Sequence, residues 1–156
     1  MRLGLVQLAS DHTLENDWHR LAGNRVELYT TRLPFGSRMV PDRLRAMGDD
    51  IASAAALLAP GIPLDVLAYG CTSGSLLIGD ERVSTELTRT RPGLPTTNPL
   101  RACKAALRHL GARRLAVLTP YTSEVHRPLH HALVRSAFGV TALPAFLLLT
   151  HSPCGL

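Results

Sequence analysis

The run Tyr69-Gly70-Cys71-Thr72-Ser73-Gly74-Ser75 is the stretch of this sequence best equipped for chemistry. A cysteine stands between two glycines just after an apolar segment. Gly70 and Gly74 let the backbone turn tightly and approach a ligand. Where a helix starts after such a turn, its first N–H groups favour an anion, and the same field favours a thiolate over a thiol. The hydroxyls of Thr72 and Ser73 can donate to a carboxylate or enolate oxygen. A thiolate beside such donors suits proton abstraction next to a carbonyl. Local composition alone fits a buried structural cysteine equally well. Position adds weight to the reactive reading, because ligands of parallel sheets bind at the carboxyl ends of strands.

The elements that must position this run alternate strand and helix. Leu3, Leu5, Val6 and Leu8 mark a buried strand over 2–9, and the residue types of Ser10, Asp11 and Thr13 suit a cap on a helix over 15–21. A second strand is expected over 26–33. Pro41 opens a long helix whose inward face is Leu44, Met47, Ile51, Ala54 and Leu58. Leu64 to Tyr69 is the third strand, with Cys71 at its carboxyl end. Helices are expected over about 80–90 and from Pro99 to Leu110, the latter burying Cys103, Leu107 and Leu110. A strand over 115–118 and a helix from Glu124 to about Ser136, with Val125, Leu129 and Leu133 inward, follow. This order predicts an α/β fold, a parallel sheet flanked by helices. The opening Arg2-Leu3-Gly4-Leu5-Val6 echoes Arg114-Leu115-Ala116-Val117-Leu118, which fits a duplicated architecture and, equally, the likeness of all short buried strands. A first domain over 1–113 and the start of a second, similar one over 114–156 are expected.

The composition, 46% hydrophobic and 19% charged over 156 residues, belongs to a globular chain. No apolar run reaches the ~18 residues of a membrane span; Ala145 to Leu149 is strand-sized. With no signal pattern at the N-terminus, a cytoplasmic location without membrane partners is expected. The net charge of +5 comes mostly from scattered arginines, and aromatics make up only 4%. That pattern gives no base-stacking platform and no nucleic-acid partner, and it suits a small anion. Cys71, Cys103 and Cys154 form no Cys-x-x-Cys pair, so neither a structural zinc site nor a secreted disulfide framework is expected. Cys154 lies in a Pro/Gly tail. His126 and His130 are spaced i, i+4 but lack the carboxylate of a zinc motif, so no metal is expected there. Trp18 and Tyr29 are read as packing residues. Asp11 and His12 follow the first strand, where they line a pocket or, for Asp11, cap a helix.

Gly70-Cys71-Thr72-Ser73 resembles the first motif of the Asp/Glu racemase superfamily, and the resemblance extends to about Phe138. The most similar branches are maleate cis-trans isomerase, arylmalonate decarboxylase and the ectoine-utilisation (EutA) type. Leu8-Ala9-Ser10-Asp11-His12-Thr13, Pro95-Thr96-Thr97, Leu107 to Arg114 and Leu118-Thr119-Pro120-Tyr121 carry it further. Asp11-His12-Thr13 and the Tyr69 to Gly74 run favour the ectoine-utilisation type. The resemblance implies a flavodoxin-like half and a cofactor-independent isomerase or racemase acting on a small carboxylate or dicarboxylate. Cys71 matches the first catalytic cysteine; the decarboxylase has glycine there, so Cys71 argues against that activity. Thr72 and Ser73 match the hydroxyl pair that holds a substrate carboxylate, and Tyr121 matches a tyrosine closing over it. Gly70, Asp11, His12, Thr97 and Arg101 are candidate pocket residues, although Arg101 stands where the family carries a small or hydroxyl residue.

The resemblance also implies a second half with a second cysteine facing the first. His151-Ser152-Pro153-Cys154-Gly155-Leu156 does not match that motif, so a truncated chain is expected. Such a chain is expected to be a poor racemase or isomerase, with apolar surface over Leu143 to Leu149 available for a homo-oligomer contact. Two further functions fit: a non-catalytic remnant that binds a small carboxylate, and a cysteine hydrolase, which requires a histidine beside Cys71.

Overall fold

A computed structural model of the chain describes residues 1–35 and 40–142. It divides into two compact units, Met1–Ala106 and Leu107–Leu156, a boundary that falls earlier than the one expected after residue 113. The first unit is a four-stranded parallel sheet in the order β2-β1-β3-β4. The strands are β1 (Arg2–Leu8), β2 (Glu27–Leu33), β3 (Val66–Tyr69) and β4 (Thr96–Thr97). After Arg2 every residue of β1 is buried, as a strand covered on both faces requires.

Helix α1 (Leu14–Ala22) connects β1 to β2. Its Leu14 and Trp18 pack on Leu3, Leu5 and Ala68. Helices α2 (Pro41–Ala46) and α3 (Ile51–Ala56) connect β2 to β3, and α4 (Thr72–Ile78) and α5 (Asp80–Thr88) connect β3 to β4. On the other sheet face Leu58, Leu64 and Leu67 crowd against Gly4 of β1, while Ile51, Ala54, Ala55, Val83 and Leu87 are buried. The expected inward face Leu44, Met47, Ile51, Ala54 and Leu58 is therefore found, but not on one helix. A 3-10 turn, Met47–Asp50, separates α2 from α3. Gly48, Asp49 and Asp50 are poor helix formers, and a Cβ on Gly48 would lie 3.2 Å from both Arg82 Cζ and Ile78 Cγ2. The break lets α4 and α5 approach the chain closely at this point.

Helix α6 (Pro99–His109) departs most from expectation. Its buried residue is Leu100. Cys103 is exposed and Leu110, just past the helix, is 77% exposed. The apolar periodicity there is genuine, but it marks a surface face and not a core face.

The second unit, as far as it is described, is a βαβ arrangement. Strand β5 (Arg114–Ala116) pairs in parallel with β6 (Gly139–Ala142), and α7 (Ser123–Val134) connects them. Val125, Leu129, Leu133 and Phe138 are buried, which matches the inward face expected for this helix. Cys154 and the apolar run Leu143 to Leu149 lie outside the described residues. Among the described residues no helix is long and apolar enough to cross a membrane.

Candidate active site

The sheet order fixes where a ligand site belongs. The chain leaves β1 towards β2 on one side, then returns to form β3 on the other side of β1. The crevice between the carboxyl ends of β1 and β3 is the topological switch point of the sheet. Val6 stands beside Tyr69 in register, and Gly70 N–H donates to the Val6 carbonyl at 2.7 Å. Cys71 follows directly, at the switch point and the carboxyl end of the third strand.

Cys71 occupies the N-cap position of α4, with extended backbone (φ −140°, ψ 116°). Its sulphur accepts from Gly74 N–H at 3.3 Å, the role a Ser or Asp side chain usually has at a cap. Ser73 Oγ lies 3.6 Å from the same sulphur. Ser75 Oγ donates to the Cys71 carbonyl at 2.6 Å, which pins the cysteine backbone. Cys71 is 7% exposed, and Ser73 and Ser75 are buried; Thr72 is half-buried. Of the hydroxyl pair, Ser73 thus faces the sulphur, and Thr72 is the more accessible to a ligand. Gly70 is half-buried, and Leu14 and Gln7 pack against it.

Asp11 and His12 follow β1 on the other wall of the crevice. Asp11 Oδ1 accepts from Leu14 N and Thr13 N, both at 3.0 Å, and from the Thr13 hydroxyl. Burial opposes its ionisation, but the Leu14 and Thr13 donors and the nearby His12 hold the carboxyl below the usual carboxylate range. Asp11 is therefore a cap for α1. Asp11→Ala should lower unfolding stability by about 1 kcal/mol, read from urea midpoints, while Asp11→Asn keeps the acceptor and stays near the parent. Because the folded pKa is lowered, the electrostatic share is complete well above the reference value of 3.8. It drains away as the pH falls through the folded value. His12 is exposed, its Nδ1 3.4 Å from the Ser10 carbonyl.

Thr97 ends β4 in register with Ala68 of β3, one strand further along the sheet. Arg101 is engaged with protein groups. Its guanidinium meets Asp80 Oδ2 through Nε at 3.2 Å and Nη2 at 3.1 Å, and Nη1 donates to the Thr96 carbonyl and hydroxyl. Asn98 donates to the other Asp80 oxygen, and Asn98 Oδ1 caps the Arg101 N–H at 2.9 Å. This network ties the start of α6 to the start of α5 and uses four of the five guanidinium protons. Tyr121 belongs to the second unit, where it is half-buried. In that unit His126, also buried, shares a hydrogen bond with Thr119 Oγ1 at 2.9 Å. Among the described residues no group of His, Cys, Asp and Glu side chains is arranged to hold a metal.

Tyr69 is a site neighbour that the sequence did not single out. It is fully buried, beneath the first turn of α4. A Cβ on Gly74 would overlap its hydroxyl and lie 3.1 Å from ring carbons Cε1 and Cζ. Strand alternation shows that residue 69 faces inward; nothing in the letters shows that its hydroxyl ends beside a thiol.

The family model for arylmalonate decarboxylase matches residues 33–150. No curated protein sequence matches the chain. Among solved structures, the maleate isomerase from Pseudomonas putida S16 with maleate superposes with a TM-score of 0.78 at 21% identity, over 91% of this chain and 62% of that one. A cysteine-to-serine mutant of a Nocardia farcinica maleate cis-trans isomerase, with a covalently bound succinylcysteine intermediate, gives 0.79 at 23% identity, over 92% and 62%. An unliganded arylmalonate decarboxylase gives 0.69 at 24% identity, over 90% and 59%. At these identities the likeness is one of fold, and the chain spans about three-fifths of the length of these relatives. The family match covers well over half of the sequence, and the chain belongs to the arylmalonate decarboxylase family.

Proposed function

We propose that this chain carries the thiol-bearing half of a cofactor-independent isomerase acting on a small cis-unsaturated dicarboxylate such as maleate. The observation that carries the reading is Cys71 itself: a thiol at the switch point of the sheet, held by the Gly74 N–H and flanked by the Ser73 hydroxyl. In the proposed step the Cys71 thiolate adds to one alkene carbon. The S–C bond forms from a sulphur electron pair, and the π pair moves to the adjacent carbon, where its carboxylate holds it as an enolate. The former double bond is now single and rotates. The enolate pair then re-forms the double bond and expels the thiolate, leaving the trans isomer. Protonation of the carbanion carbon, where it occurs, is reversed before expulsion. Nothing external is consumed. The succinylcysteine intermediate of the Nocardia relative supports such an adduct.

Decarboxylation is disfavoured because the resemblance places glycine, not cysteine, at this position in the decarboxylase. Racemisation would need a second acid–base group facing Cys71 across the substrate carbon. Thr72 and Ser73 are assigned to a substrate carboxylate, which their hydroxyls can hold. Asp11-His12-Thr13 and the Tyr69 to Gly74 run support placement in the ectoine-utilisation branch. A hydrolase would need an imidazole at the sulphur, where this turn supplies Gly74 N–H and Ser73 instead. A carboxylate-binding remnant is the second reading, since the Thr72 and Ser73 hydroxyls can hold a carboxylate whether or not Cys71 reacts. Proton NMR of maleate incubated with the purified chain separates the two. Cys71-dependent fumarate supports the isomerase, and maleate binding without conversion supports the remnant.

A further inference from the structure

We propose that Tyr69 is a positioning residue for Cys71, its buried hydroxyl serving as the third hydrogen-bond donor to the thiolate. This rests on the reading of Cys71 as a reactive thiolate and assigns a device that supports it. Tyr69 is 0% exposed, and its hydroxyl has no hydrogen-bond partner of normal geometry among the described residues. Buried side-chain hydroxyls nearly always have one, and leaving one unsatisfied costs on the order of 1–3 kcal/mol. Its place in the fold supplies the reason. The ring packs beneath Gly74, and the Gly74 N–H is bonded to the Cys71 sulphur at 3.3 Å, so hydroxyl and sulphur border the same glycine.

The two groups influence each other electrostatically. Burial pushes the Tyr69 pKa far up, and the neighbouring Cys71 adds to the rise. The phenol therefore stays protonated at any pH at which the protein works, and its proton has no other claimant among the described residues. A neutral thiol is a weak acceptor and leaves the hydroxyl unsatisfied. A thiolate is an acceptor with full charge, to which a hydrogen bond is roughly twice as strong. Ionisation of Cys71 thus relieves the Tyr69 hydroxyl, and that relief favours the ionised form. With Gly74 N–H and the Ser73 hydroxyl, Tyr69 completes three donors around one sulphur.

The test is the alkylation rate of Cys71 by iodoacetamide in a chain carrying Cys103→Ser and Cys154→Ser, with and without Tyr69→Phe. Phenylalanine fills the same space, so the fold is retained and the melting temperature holds or rises as a buried unsatisfied hydroxyl is removed. Alkylation at neutral pH should slow by roughly tenfold, and the alkylation-versus-pH curve should move to higher pH. A purely structural tyrosine moves neither. An unchanged rate and curve, in a parent that alkylates faster folded than in urea, would overturn the role of Tyr69 alone. A parent no faster folded than unfolded would overturn the thiolate reading of Cys71, and this proposal with it.

Discussion

Cys71→Ser and Cys71→Ala should both abolish conversion of maleate, by roughly 10³-fold or more, as loss of a covalent nucleophile does. The pair separates chemistry from architecture. Serine preserves the N-cap, because its oxygen accepts from Gly74 N–H better than sulphur does. Its hydroxyl stays un-ionised at neutral pH and cannot add to an alkene without a base. Cys71→Ser should therefore match the parent in stability and fail in turnover. Cys71→Ala removes nucleophile and cap acceptor together, so it should also unfold at lower urea, by about 1 kcal/mol of stability. Turnover retained by the serine variant would mean that the thiol is not the nucleophile. Equal stability of the alanine variant would mean that the Gly74 contact is incidental.

The second large effect is structural. Gly74→Ala should destabilise the chain by about 2–3 kcal/mol and depress Cys71 reactivity as well. The added methyl would overlap the Tyr69 hydroxyl and press on ring carbons at 3.1 Å. Tyr69 is fully buried and its ring is rigid, so the first turn of α4 must move. That turn carries the N–H held to the Cys71 sulphur. Gly70→Ala is the control. Its methyl would overlap Leu14 Cδ2, the far end of a flexible, half-buried side chain that can swing aside, so the cost should be about 1 kcal/mol or less. Urea unfolding of the two variants measures the contrast. Equal losses would show that the Tyr69 wall is softer than its burial indicates.

Much of the site was legible in the sequence because strand and turn signals there coincide. An apolar run ends at Tyr69, Gly70 follows, and hydroxyl residues open a helix; the structure has Cys71 at that junction. The inward faces of α7 and of the Pro41 to Leu58 stretch were also legible from three- and four-residue spacing. The break in that stretch was not, since the apolar spacing runs on through the 3-10 turn at Met47–Asp50 and hides the poor helix formers there. Helix α6 misleads for a related reason. Cys103, Leu107 and Leu110 repeat like a core face, yet periodicity shows only that a helix has an apolar side, not that anything covers it. Arg101 illustrates the limit for polar groups. It was a candidate pocket residue, and Asp80 and Thr96 engage its guanidinium; no local pattern announces that pairing. Tyr69 is the opposite case, a strand residue of ordinary type whose significance comes from a missing partner.

The most direct test of Cys71 as the nucleophile is acid-quenched peptide mass spectrometry after brief incubation of the chain with maleate. This readout requires one bond to form and does not depend on completed turnover. One modified peptide is expected, the one containing Cys71, heavier by the mass of one maleic acid and absent in Cys71→Ser. Addition at the exposed Cys103 with Cys71 unmodified, or fumarate formed by the Cys71→Ser chain, would contradict it.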